Sequence, residues 1–193
     1  MIPQKSLALA SLGIFGYLFY RYSSLPSDVS LADDISSTLQ TGLEMVNQTD
    51  IPFSCVDPRT GRDYASQIKY EARLTGVPAL LLAALIRQES AFDARARNAS
   101  SGAMGLGQFM PATALEYFGA DWATGVYDPD RAIHQTARYL AWLYRRHGTW
   151  RMTVAAYNWG TGNVASKGFA LAPAETRNYV AVIYDRWASS LPA

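Results

Sequence analysis

The chain of 193 residues contains one cysteine, Cys55, and only two histidines. One cysteine cannot form a disulfide within the chain, and these three side chains cannot supply the four ligands of a structural zinc site. The sequence therefore predicts a fold that is held by packing alone, with no metal and no cofactor.

An excess of one charge is also missing. Lysine and arginine together number 17 and aspartate and glutamate 16, which gives a formal net charge of +1. With no run of five or more basic residues, the sequence lacks the electrostatic footprint of a nucleic-acid-binding protein. Hydrophobic residues make up 49% of the chain, which is enough for a packed core and argues against global disorder.

The first 22 residues form an apolar segment. Lys5 precedes the uncharged run 7–20, and Arg21 follows it. The run is short for a bilayer crossing, which usually takes about 17–25 residues, but its flanking tyrosines suit the membrane interface. We predict a membrane anchor over residues 1–22. The alternatives are a cleaved signal peptide, although no small-residue cleavage site follows the run, and a buried core helix.

Residues 23–62 are predicted to form a spacer. Serine and proline open it, proline and glycine recur near its end, and apolar residues at helical spacing over 35–46 suit one amphipathic helix. From 63 to 193 we predict one all-α domain, since no run of alternating β-branched residues indicates a strand. Helices are expected from 64 to 76, from 79 to 88, from 128 to 148, and over about 150–158 and 174–188.

Glu89 is the leading candidate for chemistry. It follows the helix 79–88, which is apolar on nearly every face and is therefore predicted to be central and buried. Apolar surroundings and the negative end of a helix dipole both disfavour a carboxylate, so we expect a raised pKa for Glu89. A carboxyl group that stays protonated near neutral pH can protonate the leaving oxygen of a glycosidic bond. Alternatively, Glu89 caps the helix end or pairs with Arg87 or Arg95.

Three blocks of sequence between residues 63 and 188 carry a resemblance. They comprise Glu89-Ser90 with the stretch from Gly102 to Ala114, then Ala155-Ala156-Tyr157-Asn158 with Gly160 and Gly162, then Glu175-Thr176-Arg177 with Tyr179-Val180. In this order they resemble the lytic transglycosylase family, with the soluble-lytic-transglycosylase (SLT) type of lysozyme-like domain. The resemblance implies a lysozyme-like fold and an enzyme that degrades peptidoglycan.

The resemblance also implies a mechanism with Glu89 as the single acid and base. Glu89 would protonate the oxygen that links N-acetylmuramic acid to N-acetylglucosamine. It would then accept a proton from the muramoyl C6 hydroxyl, which attacks C1 and closes a 1,6-anhydro ring. One carboxylate suffices because the nucleophile is tethered to the substrate, whereas ordinary glycosidases use two. Asp93 is expected to be a solvated loop carboxylate.

Five further site residues follow from the resemblance. Gln108 and Met110 would line the cleft, and Tyr157 would form a hydrogen bond near the catalytic carboxylate. Asn158 would hold the local turn, and Glu175 would support substrate binding from the far wall. The structural alternatives are a core role for Tyr157, a helix-end role for Asn158 and a first-turn acid for Glu175.

The sequence departs from the family pattern at three places. Gly107 stands where methionine or tryptophan is common, so a more open cleft is expected there. Ala99, with Ser100 beside it, stands where a serine is common. Trp159 follows Asn158 in place of a small residue and is either a sugar-stacking platform or part of the core.

Two other functions stay open on the sequence. A hydrolytic muramidase would cleave the same bond with water, and an idle peptidoglycan-binding module would serve a secretion, conjugation or phage-entry assembly. In each case the expected partner is the peptidoglycan glycan strand, and the anchor would hold the domain in the periplasm or on a phage virion membrane. Secretion to the periplasm is the alternative location.

Overall fold

The structure, a computed structural model, describes residues 50–188 of the chain. The anchor predicted over residues 1–22 lies outside this range, as does the spacer up to residue 49. Among residues 50–188, no helix is both long enough and apolar enough to span a bilayer.

Residues 50–188 contain helices and isolated bridges but no β-strand, so the predicted all-α class is confirmed for this range. The α-helices are α1 (Ala65–Thr75), α2 (Ala79–Ser90), α3 (Pro111–Phe118), α4 (Trp122–Gly125), α5 (Pro129–His147), α6 (Trp150–Trp159), α7 (Thr161–Lys167) and α8 (Ala174–Val180). Helix α8 continues as a π-helical turn over Ala181–Asp185. Helices α3, α4 and α7 were not individually predicted.

Local sequence signals set the ends of the long helix α5. The side chain of Asp128 accepts a hydrogen bond from the backbone N–H of Arg131, and Pro129 fills the first helical position. Gly148 ends the helix with a φ of 79°, a conformation that glycine adopts without steric cost. Both ends agree with the prediction.

Helix α2 lies at the centre of the main core, as predicted. Four of its large side chains, Leu81, Leu82, Leu85 and Ile86, are fully buried, and each contributes about 1.5–3 kcal/mol of burial free energy. Helices α1 and α5 and the π-helical turn pack against it. The carboxyl end of α2, which carries Glu89, is therefore held by packing on several sides.

A smaller hydrophobic cluster forms beside the main core. It consists of Met104, Phe109, Ala114, Phe118 and Val126, so it draws on residues between the end of α2 and the start of α5. Tyr139 of α5 packs against both clusters. We call the segment 96–127 the small lobe, and it forms one side of the site described below.

The main core extends upstream of the domain boundary expected at residue 63. Cys55 and Asp57, which the sequence analysis assigns to the spacer, are both only 2% exposed. The carboxylate of Asp57 accepts hydrogen bonds from the hydroxyl of Tyr64 and the backbone N–H groups of Arg59, Thr60 and Ala94. Isolated polar residues among prolines resemble a linker in sequence, but here they form a turn that packs on the domain.

The same hydrogen bonds control the ionisation of Asp57. Burial by itself would raise its pKa, but the hydrogen bond from Tyr64 and those from the backbone outweigh burial and lower the pKa to about 2. Asp57 is therefore a carboxylate at neutral pH. Through the hydrogen bond from Ala94, this carboxylate joins the 55–64 segment to the loop that follows α2.

We expect Asp57→Ala to lower the free energy of unfolding by about 2–3 kcal/mol at neutral pH, because Tyr64 and Ala94 lose their acceptor. The pKa of Asp57 is lower in the folded than in the unfolded state. Its contribution is therefore present above about pH 4 and is lost as the pH falls towards about 2. Urea unfolding at several pH values measures both effects.

The matched control is Asp185→Ala, which removes an exposed carboxylate that pairs with Arg151 and should cost less than about 1 kcal/mol. A loss at Asp57 no larger than in this control would contradict the assignment. So would a difference from wild type that stays constant down to about pH 2.

Candidate active site

Glu89 lies in the last turn of α2, where the chain reverses sharply. The next residues after Ser90, Ala91 and Phe92, have positive φ angles of 49° and 65°, which costs non-glycine residues on the order of 1 kcal/mol each. Phe92 is only 3% exposed and belongs to the main core. Its burial holds the strained turn, which ends the helix directly beyond the candidate acid.

The hydroxyl of Tyr179 donates a hydrogen bond to Oε1 of Glu89. Tyr179 belongs to α8 and is 8% exposed. Burial and the nearby charge of Glu89 raise the pKa of this phenol well above its ordinary value. Tyr179 therefore remains a proton donor in its hydrogen bond throughout the range in which Glu89 titrates.

Burial raises the pKa of Glu89 to about 7, and the hydrogen bond from Tyr179 acts in the opposite direction. Among residues 50–188, Glu89 makes no ion pair with either arginine that the sequence offered as a partner. The guanidinium of Arg87 lies 4.7 Å from the ring centre of Phe53, and that of Arg95 lies 5.7 Å from the ring centre of Tyr127. The predicted rise in the pKa of Glu89 is therefore present. The alternative prediction, an ion pair of Glu89 with Arg87 or Arg95, is not found among residues 50–188.

One cavity of about 390 Å³ opens beside Glu89. Besides Glu89, its wall includes the long polar side chains of Arg87, Arg97, Asn98 and Gln108. Gln108 lines this cavity, consistent with the expectation, but its amide nitrogen donates to the carbonyl oxygens of Gly105 and Ala96 at 2.9 and 3.4 Å. The carboxamide thus shapes the small lobe as well as facing the cavity.

A second cavity of about 260 Å³ lies against Tyr179 and shares Gln88 with the first. Asn158 and Glu175 both line it. The expected role of Asn158 was to hold its own turn, whereas its Oδ1 accepts a hydrogen bond from Thr176 at 2.8 Å and so joins α6 to α8. Glu175 lies in the first turn of α8.

Tyr157 and Met110 line neither of these two cavities. The hydroxyl of Tyr157 donates to the carbonyl oxygen of Gly107 at 2.7 Å, so the hydrogen bond expected near the catalytic carboxylate comes from Tyr179 instead. Burial and the charge of Glu89 nevertheless raise the pKa of Tyr157. Met110 is 46% exposed and precedes the first residue of α3.

The expected opening of the cleft at Gly107 is wrong. A Cβ atom at this position would lie 2.4 Å from Oγ1 of Thr136 and 3.0 Å from the hydroxyl of Tyr157. The space that a side chain would need is therefore already filled. Gly107 lets the small lobe approach α5 and α6 closely instead of widening the site.

Three other positions discussed in the sequence, Asp93, Trp159 and Ala99 with Ser100, lie outside the wall of the cavity beside Glu89. Asp93 accepts from Nε of Arg59 at 2.7 Å, which lowers its pKa below the ordinary value, so it is paired rather than freely solvated. Trp159 packs against the main core, with Nζ of Lys167 5.3 Å from its ring centre. Asn98 lines the cavity beside Glu89, whereas Ala99 and Ser100 are not among the residues that line it.

Tyr179 and Asn98 are not among the site residues predicted from the sequence. Tyr179 was visible only as a member of the third sequence block. No group of histidine, cysteine, aspartate and glutamate side chains suited to a metal ion is found in residues 50–188.

Comparison with known proteins assigns the fold to a family. Residues 66–179 match the family model described as the transglycosylase SLT domain. An inactive mutant of lytic transglycosylase Slt from Pseudomonas aeruginosa is 32% identical, with a TM-score of 0.55, over 61% of this chain and 22% of its own. The 70 kDa soluble lytic transglycosylase of Escherichia coli is 28% identical, with a TM-score of 0.54, over 63% of this chain and 23% of its own.

The chain thus spans less than a quarter of the length of either enzyme. The family match covers more than half of the chain, and it falls on the helices that carry Glu89, Tyr157 and Tyr179. The chain belongs to the transglycosylase SLT domain family and has its all-helical, lysozyme-like fold.

Proposed function

We propose that this protein is a lytic transglycosylase that cleaves the β-1,4 bond between N-acetylmuramic acid and N-acetylglucosamine in peptidoglycan. The observation that carries the proposal is the partly buried carboxyl of Glu89 at the end of α2, which accepts a hydrogen bond from Tyr179. Its raised pKa of about 7 suits proton transfer in both directions near neutral pH. Family membership and the names of the two solved relatives support the substrate class.

The chemistry needs two proton transfers at Glu89. Protonated Glu89 donates to the glycosidic oxygen as the bond from that oxygen to C1 breaks. The resulting carboxylate then accepts the proton of the muramoyl C6 hydroxyl, whose oxygen bonds to C1 to give the 1,6-anhydro ring. Atoms balance without water, and the tethered hydroxyl has the advantage of proximity.

The surroundings of Glu89 favour this route over hydrolysis. Among the described residues 50–188, Glu89 is the one carboxyl group in the wall of its cavity, and the carboxylate of Asp93 is paired with Arg59. A hydrolytic muramidase would ordinarily use a second carboxylate to act on water or on C1. The neighbouring cavity contains the carboxyl group of Glu175. In a hydrolytic muramidase, Glu175 would be the candidate for the second carboxylate.

The cellular setting is proposed from the sequence. An anchor over residues 1–22 would keep the full-length chain on a membrane, with the catalytic domain in the periplasm or on a phage virion membrane. A small anchored wall-degrading domain suits local opening of peptidoglycan for an envelope-spanning or phage-entry assembly.

Glu89→Gln should abolish digestion of purified sacculi, with a loss of about a thousandfold in rate, because the amide keeps the volume but has no proton to transfer. Wild-type digests should contain 1,6-anhydromuramoyl products by mass spectrometry. The control Glu116→Gln changes an exposed glutamate of α3 and should keep full activity.

Three results would count against this proposal. Retention of more than about a tenth of wild-type activity by Glu89→Gln would remove Glu89 from the acid role. A dominant product heavier by one water would identify a hydrolytic muramidase instead. Absence of any product from correctly folded wild-type protein would leave the binding-module alternative.

Tyr179→Phe should move the alkaline limb of the pH–rate profile to higher pH. The acid step needs protonated Glu89, so kcat/KM should fall above about pH 7. The hydrogen bond from Tyr179 favours the carboxylate, and its removal should raise the pKa of Glu89 further.

Tyr157→Phe is the matched control, because its hydroxyl bonds to the Gly107 carbonyl and not to Glu89. This control should leave the alkaline limb in place. An unmoved or acid-shifted limb in Tyr179→Phe would show that Tyr179 does not set the pKa of Glu89.

Deleting residues 1–22 should give an active domain that leaves the membrane fraction, because the apolar run contains the predicted anchor. Fractionation and immunoblotting of the full-length and deleted proteins measure this. A mature form that starts near residue 23 would indicate a signal peptide. A deleted protein that misfolds would indicate a core helix.

A further inference from the structure

The solvent-facing side of helix α5 carries three arginines and a tryptophan. Arg138, Trp142, Arg145 and Arg146 recur at helical spacing, so they share one face, and all four are exposed. Trp142 is 38% exposed and is the only exposed tryptophan of residues 50–188. The second half of α5 therefore presents a large aromatic ring to solvent among guanidinium groups.

The positive charge of this side of α5 is not neutralised within the described part of the protein. Helix α5 has no acidic residue after Asp130, and the ion pairs found in residues 50–188 do not include these three arginines. Arg138 donates to the carboxamide oxygen of Gln135 at 3.2 Å, and the guanidinium of Arg146 lies 5.8 Å from the ring centre of Trp142. Neither contact removes a charge.

Two tyrosines extend the aromatic surface around Trp142. The ring centres of Tyr139 and Trp142 lie 6.0 Å apart with the rings stacked, and Tyr117 of the small lobe lies 5.2 Å from Tyr139. Burial raises the pKa of Tyr117 to about 12, and the nearby charges of Arg138 and Arg145 oppose this rise. We call the surface formed by these side chains the α5 face: Tyr117, Arg138, Tyr139, Trp142, Arg145 and Arg146.

The α5 face keeps an excess of positive charge when its surroundings are included. The acidic residue that acts on the same phenol of Tyr117 is Glu116 of α3. Three arginines against this one carboxylate leave a net charge of +2. A partner of the α5 face is therefore expected to be anionic and to accept aromatic rings.

An anionic phospholipid bilayer has both properties. Each arginine close to such a surface strengthens binding by about fivefold. Tryptophan and tyrosine are enriched at the level of the headgroups, because their rings are apolar while their N–H and O–H groups are polar. The glycan strand is a poorer match for the charge, since N-acetylglucosamine and the muramoyl ring are uncharged.

A bilayer at the α5 face would leave the site at Glu89 open. Neither the cavity beside Glu89 nor the second cavity is lined by a residue of the α5 face. The face nevertheless adjoins the site, because the ring centres of Tyr139 and Tyr157 lie 5.2 Å apart and the charge of Glu89 acts on the phenol of Tyr157. A bilayer bound there would hold the acid close to the membrane surface.

We propose that the α5 face docks the domain onto an anionic phospholipid bilayer. Trp142 would lie at the level of the headgroups, and Arg138, Arg145 and Arg146 would bind lipid phosphates. The inference goes beyond the proposed reaction and does not rest on it, because docking needs no peptidoglycan.

The test uses the full-length chain and vesicles whose acyl chains carry bromine, which quenches tryptophan fluorescence at short range. One set of vesicles consists of phosphatidylcholine, and the other contains an equal amount of phosphatidylglycerol. Subtracting the signal of Trp142→Phe from that of wild type isolates Trp142 from the other four tryptophans. Association through any other part of the chain therefore does not produce the signal.

Quenching of Trp142 should occur in the anionic vesicles, weaken as salt concentration rises and be absent in phosphatidylcholine. Arg145→Ala should lower the ratio of docked to undocked protein about fivefold. Arg145→Glu should lower it further, because the new carboxylate is repelled by the lipid. The matched control Arg73→Ala removes an exposed arginine in the last turn of α1 and should leave the ratio unchanged.

Equal quenching of Trp142 in both kinds of vesicle, or quenching in neither, would overturn the inference. So would an Arg145→Glu variant that docks as well as Arg73→Ala. A change in Trp142 fluorescence with soluble glycan strands in place of anionic vesicles would also overturn it and assign the α5 face to the glycan. Because the vesicles contain no peptidoglycan, failure of the proposed reaction would not alter any of these results.

Discussion

The hydrogen bond between Glu89 and Tyr179 joins the last turn of α2 to α8 at a carboxyl group that is partly buried. Burial raises the pKa of Glu89 from 4.5 to about 7. Folding therefore becomes less favourable as the pH rises through this interval, and above it the cost is on the order of 3 kcal/mol. Below about pH 4 the carboxyl is neutral in both states and the cost vanishes. Apolar burial along α2 has to offset this cost at neutral pH.

The helices around Glu89 are tied together by a few polar contacts. Tyr179 brings α8 to the end of α2, and the Asn158–Thr176 hydrogen bond fixes α6 beside α8. The hydroxyl of Tyr157 donates a hydrogen bond to the carbonyl of Gly107, which joins α6 to the small lobe. Glu89, the second cavity and the small lobe are therefore connected through helices α6 and α8.

The features that sequence could predict are those that local signals determine. Asp128-Pro129 and Gly148 bound α5 through capping and backbone conformation alone, and the apolar run before Glu89 indicates burial without knowledge of its neighbours. Tyr179 was missed because it lies 90 residues from Glu89, and nothing local distinguishes it from Tyr157. Gly107 was misjudged because the space of its missing side chain is filled by Thr136, which comes from the distant helix α5. Asp57 sits among turn-forming residues, and its burial follows only from long-range packing.

A carboxyl group with a raised pKa and two arginines in the wall of the same cavity place opposite demands on that site, because a guanidinium close to Glu89 would favour the carboxylate. The structure separates the two. The pKa of Glu89 responds to burial and to Tyr179, while Arg87 is drawn towards Phe53 and Trp187. Arg97 extends from a turn of the small lobe that Asn98 fixes. Among residues 50–188, positive charge therefore lines the cavity beside Glu89 while no arginine forms an ion pair with its carboxyl.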